Sequence, residues 1–374
     1  MIHLIAVLVF AGASVNAQTY PQILAPSVLQ NLNFQSLFPD DPEFMPVSFD
    51  GLRMQGRTII GSWNEVYKIM PEPATMGRRG AFFWDLNSNN FQKTTNNPYG
   101  DTAEFSADID SGRLIKGGSY EGNRLVNISN GTETLLSLNN PPDSITSFGI
   151  RRLNGQRVLG SYHYTSSDGP TGLPMPRSKT FSGTLLESGQ INWALTPEGI
   201  DITGISGDKL LGRAPGELGY WNSTGVIHDL NSGSNQHISA SGAYGTVLTD
   251  LGNGYIWGKY STIQETEAPG GGIMPQMGEN RSFVVDPQGN QHTLAFIIPD
   301  QDPRPPDSDP SMYPPWTQTY TEQYINVLDS DGDLFLGQNS VTGQIFLGQV
   351  PEPSSLSLLL AGGAVLMAGR RRKV

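Results

Sequence analysis

The stretch Asn154-Gly155-Gln156-Arg157-Val158-Leu159-Gly160 decides how this chain is read. Asn-Gly supplies the positive φ angles of a two-residue hairpin turn, so the segment reads as the tip and second strand of a hairpin. The same glycine pair returns at Gly56 and Gly61, Gly112 and Gly117, Gly207 and Gly212, and Gly332 and Gly337, and a copy one residue shorter spans Gly254 to Gly258. A turn-former precedes the first glycine at Ser111, Asn154, Ser206, Asn253 and Asp331. An aromatic follows the closing glycine at Trp63, Tyr120, Tyr162 and Tyr260. A glycine inside a strand admits a neighbouring backbone or ring at close range, which suits a packed, repeated sheet.

A second hairpin follows several copies. It is visible in Gly80-Ala-Phe-Phe-Trp-Asp-Leu-Asn87, in Gly219-Tyr-Trp through Asp229-Leu230, and in Arg281-Ser-Phe-Val-Val-Asp286 through Leu294. The unit is then four short strands, and its first glycines fall 56, 43, 52, 47 and 78 residues apart. Four-stranded units of this length are the mark of propeller blades, so the expected fold is all-β and β-propeller-like with about six repeats. A multi-hairpin sandwich or two small β domains is the competing architecture. The last copy has no fourth strand after Val350, and the segment between Tyr20 and Leu37 is expected to close the ring. The unit resembles the HAF-type extracellular repeat, best over Ile202 to Leu230, and that resemblance implies a propeller-like body on a secreted protein.

Both ends of the chain point to export. Leu4 to Ala13 is a compact apolar stretch, and Val15 and Ala17 fit a signal-peptidase site, so residues 1–17 are expected to be removed after Ala17. The n-region carries no Lys or Arg. At the other end Val350-Pro351-Glu352-Pro353 precedes an apolar run over 356–369 and the basic residues Arg370, Arg371, Arg372 and Lys373. As a helix that run reaches about 21 Å against a hydrocarbon core of about 30 Å, a short transmembrane anchor whose basic end stays in the cytoplasm. Residues 350–374 closely resemble a PEP-CTERM sorting signal. The resemblance implies processing by an exosortase, a membrane-embedded protease or transpeptidase, and delivery to the surface of a Gram-negative bacterium that makes extracellular polysaccharide. The sequence thus divides into a leader, a repeat body over 18–349 and the sorting tail.

Composition narrows the partners. The chain has no cysteine, so an exported body is held by its core or by bound ions. Without the four tail cations and Glu352, 19 basic residues face 34 acidic ones, a net charge of −15 over 18–349. That excludes nucleic acid and anionic lipid or polysaccharide as direct partners unless divalent cations bridge them, and leaves neutral exopolysaccharide open.

Few residues carry a chemical signal. Asp329, Asp331 and Asp333 alternate on a tight glycine turn like a weak calcium loop, but the rest of a twelve-residue loop is absent and a structural hairpin tip is the favoured reading. No metal-spaced pair occurs among His3, His163, His228, His237 and His292, and His228 and His292 read as equivalent outer-strand residues. Asp300 and Asp302 are a poor glycosidase pair, and no nucleophile elbow, phosphate loop or dinucleotide fingerprint is present. Trp316, in a Pro-rich excursion over 299–316, is the candidate glycan contact, whereas Trp63, Trp84, Trp221 and Trp257 are expected to be buried. The expected function is a non-catalytic binding or structural body at the cell surface or in a biofilm. The alternative is a propeller enzyme acting on glycans or phosphoesters, recognisable by carboxylates gathered from different blades in a central channel.

Overall fold

A computed structural model describes residues 22–38, 42–66, 68, 77–93, 105–117, 122–141, 145–167, 175–217, 219–240, 243, 245–267, 273–299 and 320–351. The leader, the Pro-rich excursion with Trp316, and the tail beyond Pro351 lie outside the described residues. Two strands, β1 (Gln22–Leu24) and β2 (Ser27–Leu32), come first and join sheets built much later in the chain. Blade 1 is the meander β3 (Ser48–Gln55), β4 (Thr58–Val66), β5 (Gly77–Asp85) and β6 (Asn90–Lys93). Blade 2 is β7 (Phe105–Asp110), β8 (Arg113–Gly117), β9 (Arg124–Asn127) and β10 (Glu133–Leu135). A short strand, β11 (Ser137–Leu138), pairs onto blade 3, which is β12 (Ile145–Asn154), β13 (Arg157–Ser166), β14 (Met175–Leu185) and β15 (Gln190–Leu195). Blade 4 is β16 (Asp201–Ser206), β17 (Lys209–Gly216), β18 (Gly219–Asp229) and β19 (Asn235–Ile238).

The remaining strands form one nine-stranded sheet that divides into two further blades. Blade 5 is β20 (Gly245–Gly252), β21 (Tyr255–Glu267), β22 (Ile273–Val285) and β23 (Gln291–Pro299). Blade 6 is β24 (Tyr320–Asp331), β25 (Leu334–Asn339) and β26 (Ile345–Gln349), with β2 as its fourth strand. The two blades are linked where Ala295–Pro299 pairs with Tyr320–Tyr324. The closing strand is antiparallel, Ser27 opposite Gln349 and Leu32 opposite Ile345. The expected ring closure by the N-terminal segment is therefore what the chain does.

The recurring glycine pair now has a physical reading. Its two central apolar residues lie on the second strand of a blade, where one side chain meets the preceding blade and the other the next. Ile59 and Ile60, Val158 and Leu159, Leu210 and Leu211, and Phe335 and Leu336 are accordingly all within 1 % of full burial. A strand buried on both faces reads as a continuous apolar pair, not as an alternation. The closing glycine makes room for the third strand's ring: an added Cβ would lie 2.5 Å from Phe181 at Gly160, 2.5 Å from Phe283 at Gly258 and 2.7 Å from Phe346 at Gly337. The Asp or Asn that ends the third strand folds the next turn. Asp85, Asn127, Asp229 and Asp286 each accept backbone N–H groups from two residues or more further on.

Trp63, Trp84 and Trp257 are buried as expected. The side chain of Trp221 is outside the described set. His228 and His292 are not equivalent, since the first sits on the third strand of blade 4 and the second on the fourth strand of blade 5, beside Asp286 at 3.1 Å.

Candidate functional site

The first strands of the six blades surround the centre of the ring. Each carries a register shift three residues before its hairpin turn, which places Arg53, Asp108, Arg152, Gly204, Asp250 and Asp329 at one level. Two residues further on, beside the turns, stand Gln55, Asp110, Asn154, Ser206, Gly252 and Asp331. Both levels contribute to the lining of a polar cavity of about 300 Å³.

These side chains stitch blade to blade. Gln55 Nε2 donates to Asp110 Oδ1 at 3.1 Å, which joins blades 1 and 2. Asp108 Oδ2 accepts the N–H of Leu153 at 2.5 Å and Asp110 Oδ2 that of Gly155 at 2.7 Å, joining blades 2 and 3. Asn154 Oδ1 accepts from Gly207 N–H at 2.7 Å, and Ser206 Oγ donates to the Leu251 carbonyl at 2.6 Å. Ser330 Oγ donates to Asp250 Oδ2 at 2.9 Å. Finally Asp329 Oδ2 accepts from Met54 N–H at 2.8 Å and Asp331 Oδ2 from Gly56 N–H at 2.6 Å, which returns the circuit to blade 1. The first strand is the inner edge of its blade, so these N–H groups have no ladder partner on that side, and a buried donor left unmet costs about 1–3 kcal/mol.

The charges are balanced across the centre. Arg152 Nη1 lies 3.1 Å from Asp329 Oδ1 and 3.8 Å from Asp108 Oδ1, and Arg53 Nη1 lies 3.9 Å from Asp329 Oδ1. Two guanidiniums thus pair with two of the three inner carboxylates, Asp108 and Asp329, while Asp250 is met by Ser330. Burial pushes Asp108 up to about 7, and burial with the nearby Asp329 charge pushes Asp250 up to about 6. Burial and the Arg152 charge hold Arg53 below its ordinary value, while the three aspartates keep Arg152 above it against its own desolvation.

The three aspartates read as a calcium loop do not converge on a point. Asp329 serves Met54 and Arg152, Asp331 serves Gly56, and Asp333 Oδ2 accepts from Gln349 Nε2 at 2.6 Å. Among the described residues no group of three or more His, Cys, Asp or Glu is arranged to hold a metal. Sequence reasoning missed Arg53, Asp108, Arg152 and Asp250. Their signal was a shared position three residues before the first residue of each two-residue turn, Gly56, Ser111, Gly155 and Asn253, which alignment on the glycines hides because Gly112 and Gly254 stand second in their turns.

At the other end of the sequence Val350 is 2 % exposed and packs with Tyr255, Trp257, Phe335 and Phe346. Residues 349–373 match the PEP-CTERM protein-sorting motif. The chain carries a PEP-CTERM sorting signal. The PEP-CTERM match covers the tail and not the repeats. No curated protein matches the chain. Among solved structures, it is similar to an acylaminoacyl peptidase from Pyrococcus horikoshii at 8 % identity, covering 83 % of this chain and 54 % of that one with a TM-score of 0.43. The chain thus spans about half the length of that peptidase. It is also similar to an oligogalacturonate lyase in complex with manganese (12 % identity, 83 % and 98 % covered, TM-score 0.38) and to the β-propeller domain of the Trilobed protease from Pyrococcus furiosus (9 %, 82 % and 98 %, 0.37). The PEP-CTERM signal implies processing by an exosortase and export to the cell envelope or surface.

Proposed function

We propose that the body is a non-catalytic binding or structural module of the extracellular polysaccharide layer, displayed by a Gram-negative cell after transient anchoring in the inner membrane. One observation carries the non-catalytic part. Carboxylates do gather in the channel from several blades, but Asp108, Asp110, Asp250, Asp329 and Asp331 are all engaged in holding a neighbouring blade. A catalytic acid–base pair needs a carboxylate free to meet substrate. The likeness of the blades to HAF-type extracellular repeats supports the same reading. A neutral glycan is the ligand class that suits a body of strongly acidic charge, and Trp316 is the ring proposed to stack on it.

The test is retention of the purified body on the host's neutral exopolysaccharide, with Trp316→Ala beside the parent. Retention lost in the variant supports the reading, whereas equal and absent retention removes the glycan partner.

A second reading is a propeller enzyme acting on glycans or phosphoesters. It is favoured by Asp108 and Asp250, raised to about 7 and about 6 beside a 300 Å³ cavity. Release of reducing sugar or phosphate by the parent, abolished in Asp108→Asn, would replace the first reading with this one.

A further inference from the structure

We infer that, until it is processed, the body stands with its tight-turn face and the mouth of the central cavity toward the membrane, and its loop face toward the medium. The inference rests on the proposed membrane engagement of the tail.

Successive strands of a meander run in opposite directions, so each blade has two ends. One end holds the turn after the first strand, two residues long in all six blades, and the compact turn after the third. At the other end the second and fourth strands stop, among them at Val66, Lys93, Ser166, Glu267 and Pro299. The cavity is lined by Asp110, Asn154, Asn253 and Asp331, which belong to the tight-turn end or its immediate approach.

The sorting motif starts at that same end. Val350 follows β26, the third strand of blade 6, and its N–H donates to the carbonyl of Asp333 in the first turn of that blade at 2.9 Å. With its side chain in the core, Val350 cannot peel away without opening the blade. Only six residue steps separate it from Leu356, where the apolar run begins, a reach of at most about 20 Å. A folded body of roughly 330 residues has a radius of gyration of about 20 Å. A tether no longer than that radius, fixed to one face, cannot present the opposite face to the bilayer.

The absence of native cysteine makes the arrangement directly testable. Single cysteines at Gln156 and Gln288 report the tight-turn face, and at Met175 and Val341 the loop face; all four positions are exposed. Full-length precursor is made in a host without the processing enzyme, and its membrane fraction is treated with a 5 kDa polyethylene-glycol maleimide, a size of about 5 kDa being comparable to a small domain. The expected result is labelling of Met175→Cys and Val341→Cys at least about tenfold faster than Gln156→Cys and Gln288→Cys, with the difference abolished by detergent. Equal rates in the membrane-bound precursor overturn the orientation while leaving the tail reading intact. Recovery of the precursor in the soluble fraction overturns the tail reading itself, and the orientation with it.

Discussion

Arg152 Nη1 donates to Asp329 Oδ1 at 3.1 Å, and so joins blades 3 and 6, which stand opposite each other in a ring of six. The pair is a rung across the channel. Because Asp329 also caps Met54 on blade 1, a single carboxylate holds both the diameter of the ring and its seam.

Replacing Asp329 with alanine should therefore be severe. It leaves the largely buried Arg152 charge with only Asp108 at 3.8 Å and uncaps Met54, and breaking such a pair costs about 3–5 kcal/mol. Asp331→Ala removes one hydrogen bond to Gly56 at the rim and should cost about 1–2 kcal/mol. Urea unfolding midpoints of the two variants decide this, and similar values would refute the seam's dependence on Asp329.

Stability should fall as pH rises from about 4 to about 7. Asp108 and Asp250 titrate near 7 and 6 when folded, against about 3.9 in an unfolded chain. The folded state thus binds more protons than the unfolded state in that window, and the associated stability, present in full below pH 4, is lost as pH passes the folded values. Asp85, Asp208, Asp229 and Asp286 shift downward through hydrogen bonds to their carboxylates, so their contribution is lost in the opposite direction, on acidification below about 4. Denaturation midpoints from pH 3 to 8 should show a maximum on the acidic side of neutrality. In Asp108→Asn with Asp250→Asn the decline toward pH 7 should flatten.

Gly160→Ala should cost about 3 kcal/mol, because the new methyl falls 2.5 Å from Phe181 and 2.6 Å from the Gly149 carbonyl, with strands on both sides. Gly155→Ala meets open space and only strains a φ of +58°, so about 1 kcal/mol is expected. Thermal midpoints that rank the two in the reverse order would show the ring contact to be soft.

Removing residues 22–32 should leave blade 6 without its outer strand. Leu32 leaves the core, β26 becomes an open edge, and concentration-dependent association is expected in size-exclusion chromatography. A monodisperse, fully folded truncation would show that closure contributes little.

The repeat was legible because its strongest signals are local. Turn glycines need positive φ, and a strand between two blades must be apolar on both faces, as at Leu210 and Leu211. Closure by the N-terminal segment was legible from a missing strand. The channel was not, since Asp108 and Arg152 meet only after two blades have been placed, and a lone Asp or Arg on a short strand looks like solvent-exposed charge. The pair His228 and His292 misled for a related reason: a similar distance along two copies of unequal length does not ensure the same strand.

Blade 6 is built from both ends of the body, with Ser27 paired to Gln349. During synthesis and export the chain emerges from its N-terminus, so β2 must wait, unpaired, until more than three hundred residues have followed it. Blades 1 to 5 can form locally as they appear. The ring shuts only when β26 has crossed, about six residue steps before the apolar run of the sorting signal begins. Completion of folding and arrival of the sorting signal are thereby made nearly simultaneous, and an enzyme that reads the signal meets a body that has just become whole.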